Sequence, residues 1–253
     1  LDDDRCALVS YSGKDRQLIL PSFVGGRKLV ELEKGCFQGK TFDVVFVPDT
    51  VSRIDSGCFR NCEIDTLSVF DTLHSFSDAS FDNTEIGHLR INAKTKPCYM
   101  STYFALFPDK CDLLRRKSAN HKLVLFSGST TRYGYDSSLF RESYPDYDPV
   151  NMGVFAYTNQ MPQLEIIFHF LKEGDVLLLS PEFDSNALDY QFFADRKMDD
   201  RFFRMMEGDY QLFSYVDLSG YTGVMDAFSR FLDEKRLMEA KEYSVSPLYY
   251  DDD

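Results

Sequence analysis

Tryptophan is absent from this 253-residue chain, histidine occurs four times, and no apolar run approaches the roughly 18 residues of a membrane span. Positive charge is scarce too. The 28 Lys and Arg residues stand against 41 Asp and Glu, for a formal net charge of −13. That balance excludes the basic surface on which nucleic-acid binding depends, and the acidic surface mainly confers solubility. The six cysteines, Cys6, Cys36, Cys58, Cys62, Cys98 and Cys111, make no CxxC pair and no Cys/His zinc pattern, so neither a metal site nor a cofactor is expected. They are too few for a small disulfide-built scaffold, and they leave the redox compartment open. The first residues, Leu1-Asp-Asp-Asp-Arg5, do not read as a signal peptide.

What the chain does have is length for one large or two modest domains, and an aromatic content dominated by 23 Phe and 15 Tyr. It also has an internal repeat. Gly35-Cys-Phe37 returns as Gly57-Cys-Phe59 and, more loosely, as Ala79-Ser-Phe81, each time 22 residues on. Leu32, Ile54 and Phe76 keep the same step, as do Val45/Val47, Leu67/Val69 and Leu89/Ile91. Val47-Pro-Asp-Thr-Val51 realigns with Val69-Phe-Asp-Thr-Leu73.

A period of this length predicts a solenoid. Each unit supplies one short strand and a compact return, and no unit buries its apolar face alone. Stacking would then place Phe37, Phe59 and Phe81 in one buried column. Cys36 and Cys58, followed by Ser80, would fill a small apolar slot as reduced thiols. The pattern resembles the BspA-type leucine-rich repeats over about residues 10–92. With so few coils the array is near the minimum for stability, so it is expected to lean on the second domain. Residues 93–120 read as a connector with a short helix near Lys110 to Lys117, its basic cluster forming a solvated face.

From His121 the pattern changes to strands alternating with helices. Lys122–Phe126, Pro149–Met152 and Asp175–Ser180 read as strands. Asp136–Ser143 and Pro162–Glu173 read as helices, the second with Gly174 just past its end and an apolar face of Leu164, Ile167, Phe168 and Leu171. Residues 187–242 read as largely helical, with Val224, Phe228, Phe231 and Leu232 on one amphipathic segment. Such alternation implies right-handed crossovers and an open parallel sheet, whose ligands bind at the carboxyl ends of its strands. The fold class is therefore α/β: a short solenoid at 1–92 joined to a flavodoxin-like parallel-sheet domain at 121–253. Three clear strands are fewer than the about five of such a sheet, so the domain is expected to be incomplete.

The tip of the first of these strands, Ser127-Gly-Ser-Thr-Thr-Arg-Tyr-Gly134, resembles the nucleophile block of the SGNH (GDSL-type) esterases and acyltransferases. The resemblance implies Ser129 as nucleophile, next to Gly128, and Gly153 as the glycine whose N–H holds an oxyanion. In the third block the family's Asn position falls near Glu182, within Ser180-Pro-Glu-Phe-Asp184, and a carboxylate donates to an oxyanion only when protonated. The family's catalytic Asp-x-x-His has no counterpart in place: Asp71-Thr-Leu-His74 lies within the repeats, and His88, His121 and His169 sit in strands or on a helix. On the residues alone, the alternative reading of Ser129 is a strand-end turn residue, with Thr130 and Thr131 bonding the backbone. The sequence lacks the Gly-Lys-Ser/Thr of a P-loop and the Gly-x-Ser-x-Gly of an α/β-hydrolase elbow.

Two functions are thus expected. One is ester hydrolysis or acyl transfer on an O-acylated glycan or similar polymer, at the cell surface or outside the cell as the resemblances imply. The other is binding without catalysis, in which the repeats engage a glycan or protein ligand and the α/β domain is inert.

Overall fold

The computed structural model describes residues 3–116, 120–154, 158–180, 183–184, 187–188 and 196–241. The chain divides into two compact units, Leu1–Cys98 with Val216–Tyr243, and Tyr99–Tyr215.

The first unit is a solenoid. Its strands are β1 (Arg5–Leu8), β2 (Gln17–Ile19), β3 (Phe23–Val24), β4 (Arg27–Leu32), β5 (Thr41–Phe46), β6 (Arg53–Ile54), β7 (Glu63–Phe70) and β8 (Glu85–Asn92). One sheet runs β2-β5-β7-β8, all parallel; from β5 to β8 its register advances by 22 residues per coil, so that Val45 faces Leu67, which faces Leu89, while the first step, from Leu18 to Val45, is longer. A second sheet, built on β1, β4 and β6, steps from Glu31 to Arg53 and on to Ser75 by the same 22 residues. The period seen in the sequence is therefore the coil length.

Between the sheets the three Phe rings stack as expected. Phe37 and Phe59 lie 4.8 Å apart with planes at 15°, and Phe59 and Phe81 lie 5.1 Å apart at 3°. All three are buried, as are Cys36 and Cys58, both free thiols. Burial pushes the Cys36 thiol up to about 11, with a smaller contribution from Glu33, and raises Cys58 further. A further repeated role escaped the sequence reading. Cys62 Sγ donates to the Phe37 carbonyl at 3.0 Å, and one coil on the Thr84 hydroxyl donates to the Phe59 carbonyl. The tight return also repeats: Gly39, Asn61 and Asn83 all have positive φ (71°, 55° and 51°), a conformation that Gly and Asn tolerate best. The Asn83 amide donates to Asn61 Oδ1 at 2.8 Å, joining the two coils at that point.

The support expected from the second domain is supplied instead by a later segment that belongs to the repeat unit itself. The helix Val224–Lys241 covers the last coil, with Val224, Phe228, Phe231 and Leu232 all buried and Phe228 5.4 Å from Phe76. The two segment starts cap each other: Asp226 Oδ1 accepts from Asp78 N at 2.7 Å, and Asp78 Oδ1 accepts from Met225 N and Asp226 N at 3.0 Å. Lys235 reaches the buried Asp71 carboxylate at 3.4 Å, and Asp71 also accepts from the N–H of Lys94 and the hydroxyl of Thr95. Residues 216–241 thus belong to the repeat unit, where the sequence reading places them with 121–253. An apolar stripe shows that a helix must be covered, not which surface covers it.

The second unit contains α1 (Leu106–Arg115), β9 (His121–Phe126), α2 (Ser129–Gly134), α3 (Ser137–Ser143), β10 (Tyr147–Asn151), α4 (Met161–Phe170), β11 (Val176–Leu179), a two-residue pairing of β12 (Phe183–Asp184) with β13 (Ala187–Leu188), and α5 (Asp200–Met206). The strands β10-β9-β11 form one parallel sheet with β9 in the centre. That is the 2-1-3 order with which one common doubly wound arrangement begins. Helix α1 lies within the stretch read as a connector, starting four residues before the short helix expected there, and packs against α4, α5 and β10.

Two details differ from the sequence reading. The buried face of α4 is Pro162, Gln163, Leu164, Ile166 and Ile167, while Phe168 is 57% exposed. Among the described strands β11 is an edge, with Val176, Leu178 and Leu179 partly open to solvent, whereas Leu123 to Phe126 of β9 are buried. Hydrophobicity marked both strands alike; only their place in the sheet separates them.

Candidate functional site

The carboxyl edge of the parallel sheet assembles most of the residues singled out above. Strand β9 ends at Phe126, and Ser127 and Gly128 lead into α2, whose first residue is Ser129. Gly128 is buried and Ser129 half-buried. Gly153 lies just past β10 and packs directly on this turn. A Cβ added there would sit 2.4 Å from Arg132 N and 2.8 Å from the Gly128 carbonyl oxygen, so only glycine fits. The tips of β9 and β10 therefore converge. Glu182 lies outside the described residues.

Asn151 fastens the junction. Its amide donates to the Thr131 carbonyl at 3.0 Å, and its Oδ1 accepts the Gly153 N–H at 3.0 Å. For Gly153 to hold an oxyanion, that last bond would have to open. Lys110, on α1, completes the arrangement by donating to the carbonyls of Asn151 and Gly153, both at 2.7 Å. Burial and then the neighbouring Arg132 guanidinium push its ammonium down from 10.5 to about 8. Sequence reasoning took Lys110 for part of a solvated basic face. Its only sequence signal is the apolar pattern of α1 around it.

The histidines of this unit lie elsewhere. His121 opens β9 at the amino end of the sheet, and the exposed His169 stacks on Tyr215 at 3.9 Å. In the repeat unit, His88 Nδ1 lies 3.2 Å from the Val216 carbonyl oxygen, and His74 is exposed. Asp71 of the Asp-x-x-His stretch is committed to Lys235 and to the backbone at Lys94. The amino end of the sheet is a structural knot centred on Asp175. It accepts from Lys122 N at 2.8 Å and Lys172 N at 3.0 Å, with Lys122 Nζ at 3.8 Å. Burial alone would raise this carboxyl. The two N–H groups and both ammoniums outweigh it and hold the group below the ordinary carboxylate range.

The repeat unit has a site of a different kind. A cleft of about 560 Å³ opens between the last coil and residues 218–225. It is lined by Asn61, Glu63, Asp82, Asn83, Glu85 and Tyr221, and by the buried side chains of Phe81 and Ile86. Glu63 and Glu85 stand opposite each other on β7 and β8, an arrangement of like charges that costs stability. Thr41 donates to Glu63 at 3.3 Å, and Arg60 Nε lies 2.9 Å from Asp82.

Fold and register define the first unit as a leucine-rich-repeat solenoid. Residues 30–106 match the family model described as BspA type Leucine rich repeat region (6 copies), so the repeat region is of the BspA type. No curated protein and no solved structure matches the chain. Among the described residues, no helix is long and apolar enough to cross a membrane, and no group of His, Cys, Asp and Glu is placed to hold a metal ion.

Proposed function

We propose that this chain works by binding, with the repeat solenoid as its recognition element and the cleft beside the last coil as the seat of the ligand. The cleft carries the proposal. Its volume of about 560 Å³ falls in the range of small-ligand sites, and its lining combines amides, carboxylates and the aromatic rings of Tyr221 and Phe81. Amides and carboxylates hydrogen-bond to hydroxyl groups, and the Tyr221 ring offers an apolar body with a polar tip. That chemistry suits a glycan. A ligand between Glu63 and Glu85 would also relieve their apposition. A cell-surface or extracellular setting is part of the same proposal and rests on the resemblance to BspA-type proteins. The test is calorimetric titration of the chain with a panel of soluble polysaccharides and, separately, a lysine-rich peptide. Saturable polysaccharide binding that Glu85→Ala weakens supports the proposal. Binding of the peptide alone, or of neither, refutes it.

A second reading keeps acyl chemistry at Ser129. What favours it is the position of a half-buried hydroxyl at the tip of the central strand, against the tip of β10. A general base is still needed to activate that hydroxyl. Labelling by a fluorophosphonate probe that Ser129→Ala abolishes would support an esterase or acyltransferase acting on an O-acylated polymer. No labelling would leave Ser129 as a turn residue.

A further inference from the structure

The carboxyl edge of the parallel sheet holds groups that neither reading uses. Ser127 and Thr131 are 2% and 0% exposed, and their hydroxyls have no hydrogen-bond partner among the described residues. Buried hydroxyls are nearly always paired, so two orphans four residues apart in one turn call for a partner from outside.

The charges there point to what that partner is. Lys110 spends two of its three protons on the Asn151 and Gly153 carbonyls and keeps the third. Arg132 follows Thr131 directly, is half-buried, and has its guanidinium 4.8 Å from the centre of the Tyr133 ring, with no carboxylate in an ion pair among the described residues. Burial lowers the Lys110 ammonium most, and the neighbouring Arg132 guanidinium lowers it further. In a chain of net charge −13, two uncompensated cations beside orphaned hydroxyls mark a place for an anion. The topology agrees. Open parallel sheets bind ligands outside the carboxyl ends of their strands, where the order reverses about the central strand, here β9.

We propose that the turn Ser127–Arg132, together with Lys110, forms a subsite for a phosphate group, either free phosphate or a small phosphomonoester. Phosphate rather than carboxylate is chosen because a phosphate dianion matches two cations, and its three terminal oxygens accept from the hydroxyls of Ser127, Ser129 and Thr131. The half-buried Ser129 and exposed Thr130 form the open rim of the site.

The test is titration of the full chain with inorganic phosphate at constant ionic strength, followed by amide NMR shifts. Saturable shifts are expected at residues 127–132 and 153. Arg132→Gln and Thr131→Val should each weaken binding about tenfold. Arg141→Gln, an exposed cation on α3, should leave it unchanged. Circular dichroism checks that each variant is folded, and Ser127→Ala replaces Thr131→Val if the latter is not. Phenyl phosphate in a parallel arm separates the sources: tighter binding than inorganic phosphate assigns the site to a monoester, and weaker binding to the free ion. Shifts that do not saturate, that survive Arg132→Gln, or that acetate reproduces at equal concentration would overturn the proposal.

Discussion

The two units solve the same problem, burying apolar strands, in opposite ways. In the repeat unit every role is played by one residue per coil. Phe37, Phe59 and Phe81 make one column, Cys62 and Thr84 one hydrogen bond, and Gly39, Asn61 and Asn83 one turn. In the α/β unit each role is played once. Among the described residues, Asn151 makes the side-chain hydrogen bonds that tie the tip of β10 to α2, and Lys110 those that tie it to α1. A repeated role tolerates variation in any one copy, because neighbouring coils supply the register. A role played once does not. Damage in the solenoid should therefore cost packing energy and leave its architecture in place. Damage at the sheet edge should cost less energy and disturb one site.

The largest effect is expected inside the column. Phe59→Ala removes the middle ring of three and should destabilise the repeat unit by about 3–5 kcal/mol, read from urea unfolding. A loss under about 1 kcal/mol would mean that the rings are not packed as a column. Next comes the helix that covers the last coil. Lys235→Ala strands the buried Asp71 carboxylate, and breaking such a pair costs about 3–5 kcal/mol, reduced here because Asp71 keeps its bonds to Lys94 and Thr95. The same variant should raise hydrogen exchange in both 224–241 and 71–95. Exchange confined to the helix would show that the helix is not part of the unit.

A smaller effect is expected at Lys110. Lys110→Met leaves two carbonyls without their donor and should cost about 1–3 kcal/mol. The sign with pH is distinctive. The folded ammonium titrates near 8 and the unfolded one near 10.5, so between those values the unfolded chain holds the extra proton and stability rises with pH. That rise should be present in the parent chain and absent in Lys110→Met. The smallest effect is on the thiols. Cys36 and Cys58 are buried with raised thiol pKa values, and should resist a thiol reagent in the native state while the half-buried Cys6 and Cys98 react. Fast labelling of Cys58 would show that the coils open.

The same contrast explains what was legible in the sequence. The solenoid could be read because its period tests each assignment against the next coil: Phe59 is read twice, from Phe37 and from Phe81. The covering helix was recognised as amphipathic from Val224, Phe228, Phe231 and Leu232, but its partner lies some 150 residues away, as the Asp78–Asp226 bonds show, and no local pattern encodes that. At the sheet edge the turn after β9 and the convergence of Gly128 with Gly153 were legible from small residues at strand ends. Lys110 was not, because a lysine in a basic stretch looks solvated until the fold brings two carbonyls to it. Phe168 misled for a related reason: helical periodicity assigns a face, and one residue at its margin can turn to solvent.

The central claim, that this chain acts through its repeat unit by binding, is tested most directly by hydrogen exchange with and without a polysaccharide found by calorimetry. The account predicts added protection at residues 61–63, 82–86 and 218–225, lost in Glu85→Ala. Protection confined to residues 127–132 and 153, together with release of acyl groups that Ser129→Ala abolishes, would contradict it.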